Sequence, residues 1–121
     1  MDGEAIRAGQ RLVREVLVAP QVQDYAIRLV LATHPKGEFM AAATDKHIRY
    51  GASPRGAQAV LLAAKVRALL DARYNVSFDD IRGVYLPALR HRILLNFEAQ
   101  AENVAPDAVL TEVLKEVKDR V

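Results

Sequence analysis

The sequence predicts an all-α fold, a compact bundle of about five helices with at most a minimal two-strand element. Apolar residues recur at helical spacing along most of its length. Helix-start residues stand ahead of those runs at Pro20, Ser53-Pro54, Ser77 and Ala105-Pro106, and Pro and Gly break the pattern between them.

The first helix runs from about Glu4 to Leu17, with Ile6, Val13, Val16 and Leu17 on one side. Ala19-Pro20 interrupts it, and Pro20 opens a second helix whose Val22, Tyr25, Ala26, Leu29 and Val30 form an amphipathic stripe. His34-Pro35-Lys36-Gly37 stops that helix. The 36–52 segment is the least regular, with only a short helical turn expected at Ala41-Ala42-Ala43, and loops of that length tend to be functional or mobile. A third helix extends from Pro54 to about Ala72. Ala57, Val60, Leu61, Ala64, Ala68 and Leu69 share one face, while Leu62, Ala63 and Val66 widen the arc. So apolar a helix is expected to be the central, most buried one. Ser77-Phe78-Asp79-Asp80 is a capping-box variant opening a helix that buries Ile81, Val84 and Tyr85, and Pro87 ends or kinks it. Ile93 to Asn96 reads as a short extended segment pairing with Asn75-Val76. Pro106 opens a last helix with Val109, Leu110, Val113, Leu114 and Val117 on one face.

At 121 residues this is one domain, 1–121, with no room for a nucleotide-hydrolysing α/β domain as well. The apolar fraction of 51% and charged fraction of 26% are normal for a globular protein. The absence of cysteine excludes disulfides and thiolate chemistry. Apolar runs fall far short of a bilayer span, and Met1 to Val18 carries charges throughout, so neither a membrane segment nor a signal peptide is read and a cytoplasmic location is expected. Net charge is +2 but unevenly placed: residues 43–92 hold nine Lys/Arg against four Asp/Glu, whereas 93–121 hold three against six. A basic middle suits a site that faces an anion, though a solvated basic surface has the same signature.

His34, His47 and His91 lack the spacing or Cys partners of zinc sites. Asp79-Asp80 follow a Ser cap, which favours a helix-dipole role over acid–base chemistry. Neither Ser53 nor Ser77 stands in a G-x-S-x-G setting. The informative string is Arg49-Tyr50-Gly51-Ala52-Ser53-Pro54-Arg55-Gly56-Ala57. Ser53 is a good N-cap, Pro54 suits the first helical position, and Arg55 sits where the helix dipole already favours an anion. That arrangement reads as a phosphate-facing arginine, with an ordinary solvated one as the plain alternative. Arg90-His91-Arg92 is a second basic cluster: a solvated turn, a set of carbonyl caps, or an interface. Arg49 could pair with Asp45 or with a partner domain.

The Arg49–Ala57 string resembles the sensor-2 segment in the lid of MoxR-type AAA+ ATPases. Leu12 to Val16, Asp24 to Val30, Val76 to Arg82 and Val84 to Arg92 resemble other parts of that lid, in the family's order. The resemblance implies that Arg55 is catalytic and that Ser53, Pro54 and Arg55 bind the cofactor. That cofactor is ATP with Mg2+ in the parent protein, the magnesium held by a separate P-loop domain. It also implies partners: the chain's own ATPase domain, neighbouring subunits of a hexameric ring, and a client protein that the sequence does not name. The family carries a similar triplet at Arg90-His91-Arg92, which favours a structural or interface role there. One departure is decisive: the sequence contains no G-x-x-x-x-G-K-[ST] loop, so the chain alone is expected to be inactive and excised from a larger ATPase, with Met1 supplied for expression. The alternative is a free-standing helical binding module for protein or nucleic acid. Nucleic acid is disfavoured because Lys65, Arg67 and Arg73 do not form a row and the would-be recognition helix is too apolar.

Overall fold

Seven helices and a two-stranded antiparallel ribbon make up the computed structural model, which describes residues 3–118. In order these are α1 (Gly3–Glu15), α2 (Pro20–Leu31), α3 (Ala42–His47), β1 (Ile48–Tyr50), α4 (Pro54–Leu70), α5 (Phe78–Leu89), β2 (Leu94–Leu95), α6 (Phe97–Ala101) and α7 (Pro106–Glu116). The mostly helical fold is the one expected. Met1 and the side chain of Ile6 lie outside the described residues.

Helices α4 and α5 form the central pair. Gly56, Val60, Ala64 and Ala68 are buried on α4 at every fourth residue, a ridge of small side chains that lets α5 approach closely. On α5 the facing line is Ile81, Tyr85 and Leu89, again four apart and fully buried. Helix α2 closes the core with Val22, Tyr25, Ala26, Leu29 and Val30, the predicted stripe. Tyr85 Oη donates to Leu29 O at 2.9 Å, so its one polar atom is satisfied inside the core. Burial pushes that phenol well above its usual range, with Tyr25 adding to the shift. A smaller cluster of Ile48, Leu95, Ala99 and Val109 joins the ribbon to α6 and α7.

Several expectations need correction. The 36–52 segment is not one loop, because α3 and β1 occupy most of it. Helix α3 is held from a distance: Glu116 of α7 accepts the Ala42 N–H at 2.8 Å. Segment β2 pairs with β1, Ile48 opposite Leu95 and Tyr50 opposite Leu94, and not with Asn75-Val76. Asn75 is bridged to Leu17 instead, whose N–H donates to Tyr74 O and whose carbonyl accepts from Val76 N–H. Leu17 therefore leaves the helix and is 66% exposed, while Val16 turns inward. Helix α4 is central but two-sided, with Leu62 and Leu70 exposed opposite the buried ridge. Helix α5 runs two residues past Pro87, whose ring lies on its exposed side.

Candidate functional site

The start of α4 is built by close backbone approach. A Cβ placed on Gly51 would lie 2.4 Å from the carbonyl oxygen of Thr33, so only glycine lets β1 pass the end of α2. Ala52 follows, fully buried, and its N–H donates to Thr33 Oγ1 at 3.0 Å. The Thr33 hydroxyl in turn donates to Val30 O at 2.6 Å. His34 Nε2 bonds the Ala52 carbonyl, which can only accept, so that nitrogen carries the proton. Both polar groups of Ala52 are thus fixed to the end of α2. The next three residues inherit that placement.

Ser53 adopts the extended N-cap conformation (φ −75°, ψ 173°) and Pro54 occupies the first turn as predicted. The Ser53 hydroxyl, however, makes no capping hydrogen bond; its carbonyl accepts the Gly56 N–H at 2.8 Å instead. Arg55 is exposed and makes no hydrogen bond or ion pair among the described residues. Beside it lies an apolar pocket of about 290 Å³ lined by Ile27, Val30, Leu31, Ala52, Pro54 and Ala57, with His34 at its edge. His34 is shared with an open cleft of about 430 Å³ that carries Lys36, Arg49 and Tyr50. Arg49 stacks over the Tyr50 ring at 5.2 Å and does not pair with Asp45.

The basic residues of the 43–92 segment divide by position. Asp80, 1% exposed, accepts from both terminal nitrogens of Arg73 at 2.7 and 2.8 Å, and Arg67 Nε lies 3.7 Å away. Arg67 also donates to Asp79 O, its guanidinium occupying the space a side chain at Gly83 would fill. Asp80 completes the expected capping box, accepting the Ser77 N–H at 2.8 Å while Ser77 Oγ accepts its own N–H. Arg82 pairs with Asp79 at 2.7 Å and lies over Tyr25. Arg90 reaches Asp107 of α7 at 3.1 Å, a structural tie, and Arg92 Nε caps the Ala88 carbonyl at 3.2 Å. The acids therefore neutralise the far end of α4 and the start of α5. Arg49, Arg55 and Arg92 have no carboxylate partner among the described residues.

Sequence reasoning singled out Arg55, Ser53 and Pro54 but gave no role to Thr33, which anchors the backbone just ahead of them. A threonine two residues past a helix end gives no local signal of a bond made 19 positions later. His34, which lacks any zinc-site pattern in the sequence, is the second anchor.

A family profile described as "AAA lid domain" matches residues 40–113. The chain is 30% identical over 115 residues to Chaperone MoxR1 of Mycobacterium tuberculosis, covering 95% of this chain and 30% of that protein. It is 31% identical over 96 residues to Protein MoxR of Methylorubrum extorquens, covering 74% of this chain and 28% of that protein. The crystal structure of a candidate ATPase from Cytophaga hutchinsonii superposes with a TM-score of 0.83 at 33% identity, over 89% of this chain and 33% of that one. The chain thus spans about a third of the length of the relatives it matches.

Proposed function

The chain belongs to the AAA lid domain family, as the lid of a MoxR-type AAA+ ATPase, and from that premise we propose that Arg55 is its sensor-2 arginine, contacting the terminal phosphate of ATP. One observation carries this reading. Arg55 stands in the first turn of α4, exposed and unpartnered among the described residues, on a backbone fixed by Thr33 and His34. An anion there would meet a full positive charge, donors in a planar fork, and the positive end of the helix dipole. The apolar pocket beside it, lined by Ile27, Leu31, Pro54 and Ala57, suits the face of a nucleobase. Ser53 and Pro54 act by setting where the helix begins. The residues present therefore fit ATP, while magnesium would be held by residues of a separate P-loop domain, since this sequence has no such loop. ATP supplies a phosphoanhydride whose cleavage spreads negative charge over the transferred group.

The role of this chain follows from rigidity. Because Arg55 is fixed to a helical unit separate from the domain that holds the phosphates, it engages only when that unit closes over the nucleotide. Nucleotide state thereby becomes a rigid-body rotation of the lid. In a ring of subunits such rotations drive assembly or remodelling of a client, the chaperone-like work we assign to the parent protein. The whole would reside in the cytoplasm. Among the described residues no helix is long and apolar enough to cross a membrane.

The test is Arg55→Ala in the full-length ATPase. Removing a charge that acts mainly in the transition state depresses kcat by on the order of a hundredfold, with a smaller change in nucleotide affinity. Arg55→Lys restores only part, because an ammonium cannot bridge two oxygens as the guanidinium fork does. Lys115→Ala, on the exposed side of α7, is the control and leaves turnover unchanged. Normal steady-state turnover in the Arg55→Ala variant would remove the sensor assignment.

A further inference from the structure

Gly56 is where a second arginine reaches the same helix start. Arg92 follows α5, and its Cδ lies beside Gly56, the residue after Arg55. A Cβ built on Gly56 would lie 3.8 Å from Arg92 Cδ, 3.1 Å from Leu89 Cδ2 and 3.0 Å from Ala52 Cβ. Even a methyl there would crowd Ala52 and Leu89, while the Arg92 stem lies at ordinary contact distance. The Arg92 Nε donates to Ala88 O at 3.2 Å, which tethers the guanidinium by its inner edge. Its two terminal nitrogens make no hydrogen bond or ion pair among the described residues.

We propose that Arg92 is a second anion-contacting residue, acting together with Arg55 on the phosphate oxygens of a nucleoside triphosphate. The proposal rests on the reading of Arg55 given above. Its physical basis is uneven compensation of charge. Arg67, Arg73, Arg82 and Arg90 each reach a carboxylate. Arg55 and Arg92 reach none among the described residues, although Arg55 stands in the first turn of a 17-residue helix and the Arg92 stem lies beside Gly56 of that helix. Two such cations beside that pole repel it and each other, a cost that a polyanion relieves. The tether to Ala88 removes part of the rotational freedom that a free surface arginine would lose on binding. Two guanidinium groups, one on α4 and one on the turn after α5, also distinguish a chain of phosphates from a single carboxylate, which one fork satisfies alone.

The 121-residue chain itself tests this by nitrogen-15 NMR, reading backbone amides and arginine Nε–Hε signals during titration with inorganic tripolyphosphate at low ionic strength. The Arg55 and Arg92 signals move along one saturation curve. Arg92→Ala weakens binding by roughly fivefold or more, the scale of one lost charge-assisted contact. Arg92→Gln keeps the stem and a donor for Ala88 but loses the charge, and it weakens binding equally; Arg92→Lys recovers part of the affinity. Lys115→Ala leaves the curve unaltered. ATP in place of tripolyphosphate reaches the same arginines and additionally shifts amides at Ile27, Leu31 and Ala57. If tripolyphosphate moves Arg55 while Arg92→Gln binds as tightly as wild type, the Arg92 proposal falls and the Arg55 reading stands. If neither arginine responds to either anion, both fall.

Discussion

Asp80 stays ionised although only 1% of it is exposed, because Arg73 holds both carboxylate oxygens and Ser77 N–H adds a further donor. The Arg73 guanidinium outweighs the opposing effect of burial, and the carboxyl is lowered from 3.8 to about 2. The folded value lies below the unfolded one, so this stabilisation is complete above about pH 4 and is lost as pH falls through about 2. Its size is about 2 kcal/mol. Asp80→Asn should cost a comparable amount at neutral pH and flatten the acid limb of the stability curve, read as urea midpoints between pH 2 and 6. An unchanged acid limb in that variant would mean that another carboxylate controls it. Half of this arrangement was legible. Ser77 and Asp80 are three residues apart, a spacing set by one helical turn, and their mutual bonds follow from it. Arg73 was not legible as the partner, because the turn that returns it runs through Ala72 at φ 57°, and no glycine marks that left-handed residue. Ser53 shows the converse: the residue type and backbone conformation were right, yet the hydroxyl bonds nothing as a cap.

Helix α4 shows why hydrophobicity alone misplaces burial. Leu62, Val66 and Leu70 made the helix read as apolar nearly all round, but they are 57%, 40% and 85% exposed. The line that faces α5 is made of Gly56, Val60, Ala64 and Ala68, the smallest apolar residues available. Close packing selects small side chains where two backbones approach, so the less hydrophobic stripe is the buried one. Val60→Ala should therefore cost about 2 kcal/mol, through lost methyl burial and the space left against α5. Leu62→Lys should stay within about 0.5 kcal/mol. Urea unfolding of the two variants separates the faces, and an equal loss in both would mean that the exposed stripe is packed in solution. The ribbon failed for a different reason. Strand β2 is two residues long, too short for any alternation to declare a partner, and its true partner lies some 45 positions earlier, inside a segment that itself read as loop. Helix α6 was missed at five residues, although Asn96 caps it by accepting the Ala99 N–H.

Across the whole molecule, the core and the proposed site share Val30 and Ala52 but otherwise depend largely on different residues. Tyr25, Leu29, Val60, Ile81, Tyr85 and Leu110 hold the bundle together. The start of α4 is fixed by the Thr33 and His34 side chains, which hold the Ala52 backbone, and by the close approach at Gly51, and Arg55 projects from it with no hydrogen bond or ion pair among the described residues. This separation explains why the Arg49–Ala57 string was so informative in the sequence. Gly51 and Gly56 answer to close approach and Pro54 to the first helical position, and such requirements leave a mark that long-range partners like Thr33 do not. It also yields a prediction for the chain by itself. Arg55→Ala should change its urea-derived stability by no more than about 0.5 kcal/mol, because an exposed first-turn arginine contributes neither burial nor an internal ion pair. Relief of repulsion at the positive end of α4 would make the small change a gain. Without the phosphate-cradling loop the chain should hydrolyse no ATP, with or without the substitution. Turnover by a purified sample that a mutation within these residues abolishes would place the chemistry inside the lid. A loss of several kcal/mol in Arg55→Ala would instead make that arginine a structural pair member, and the proposed phosphate contact would lose its free charge.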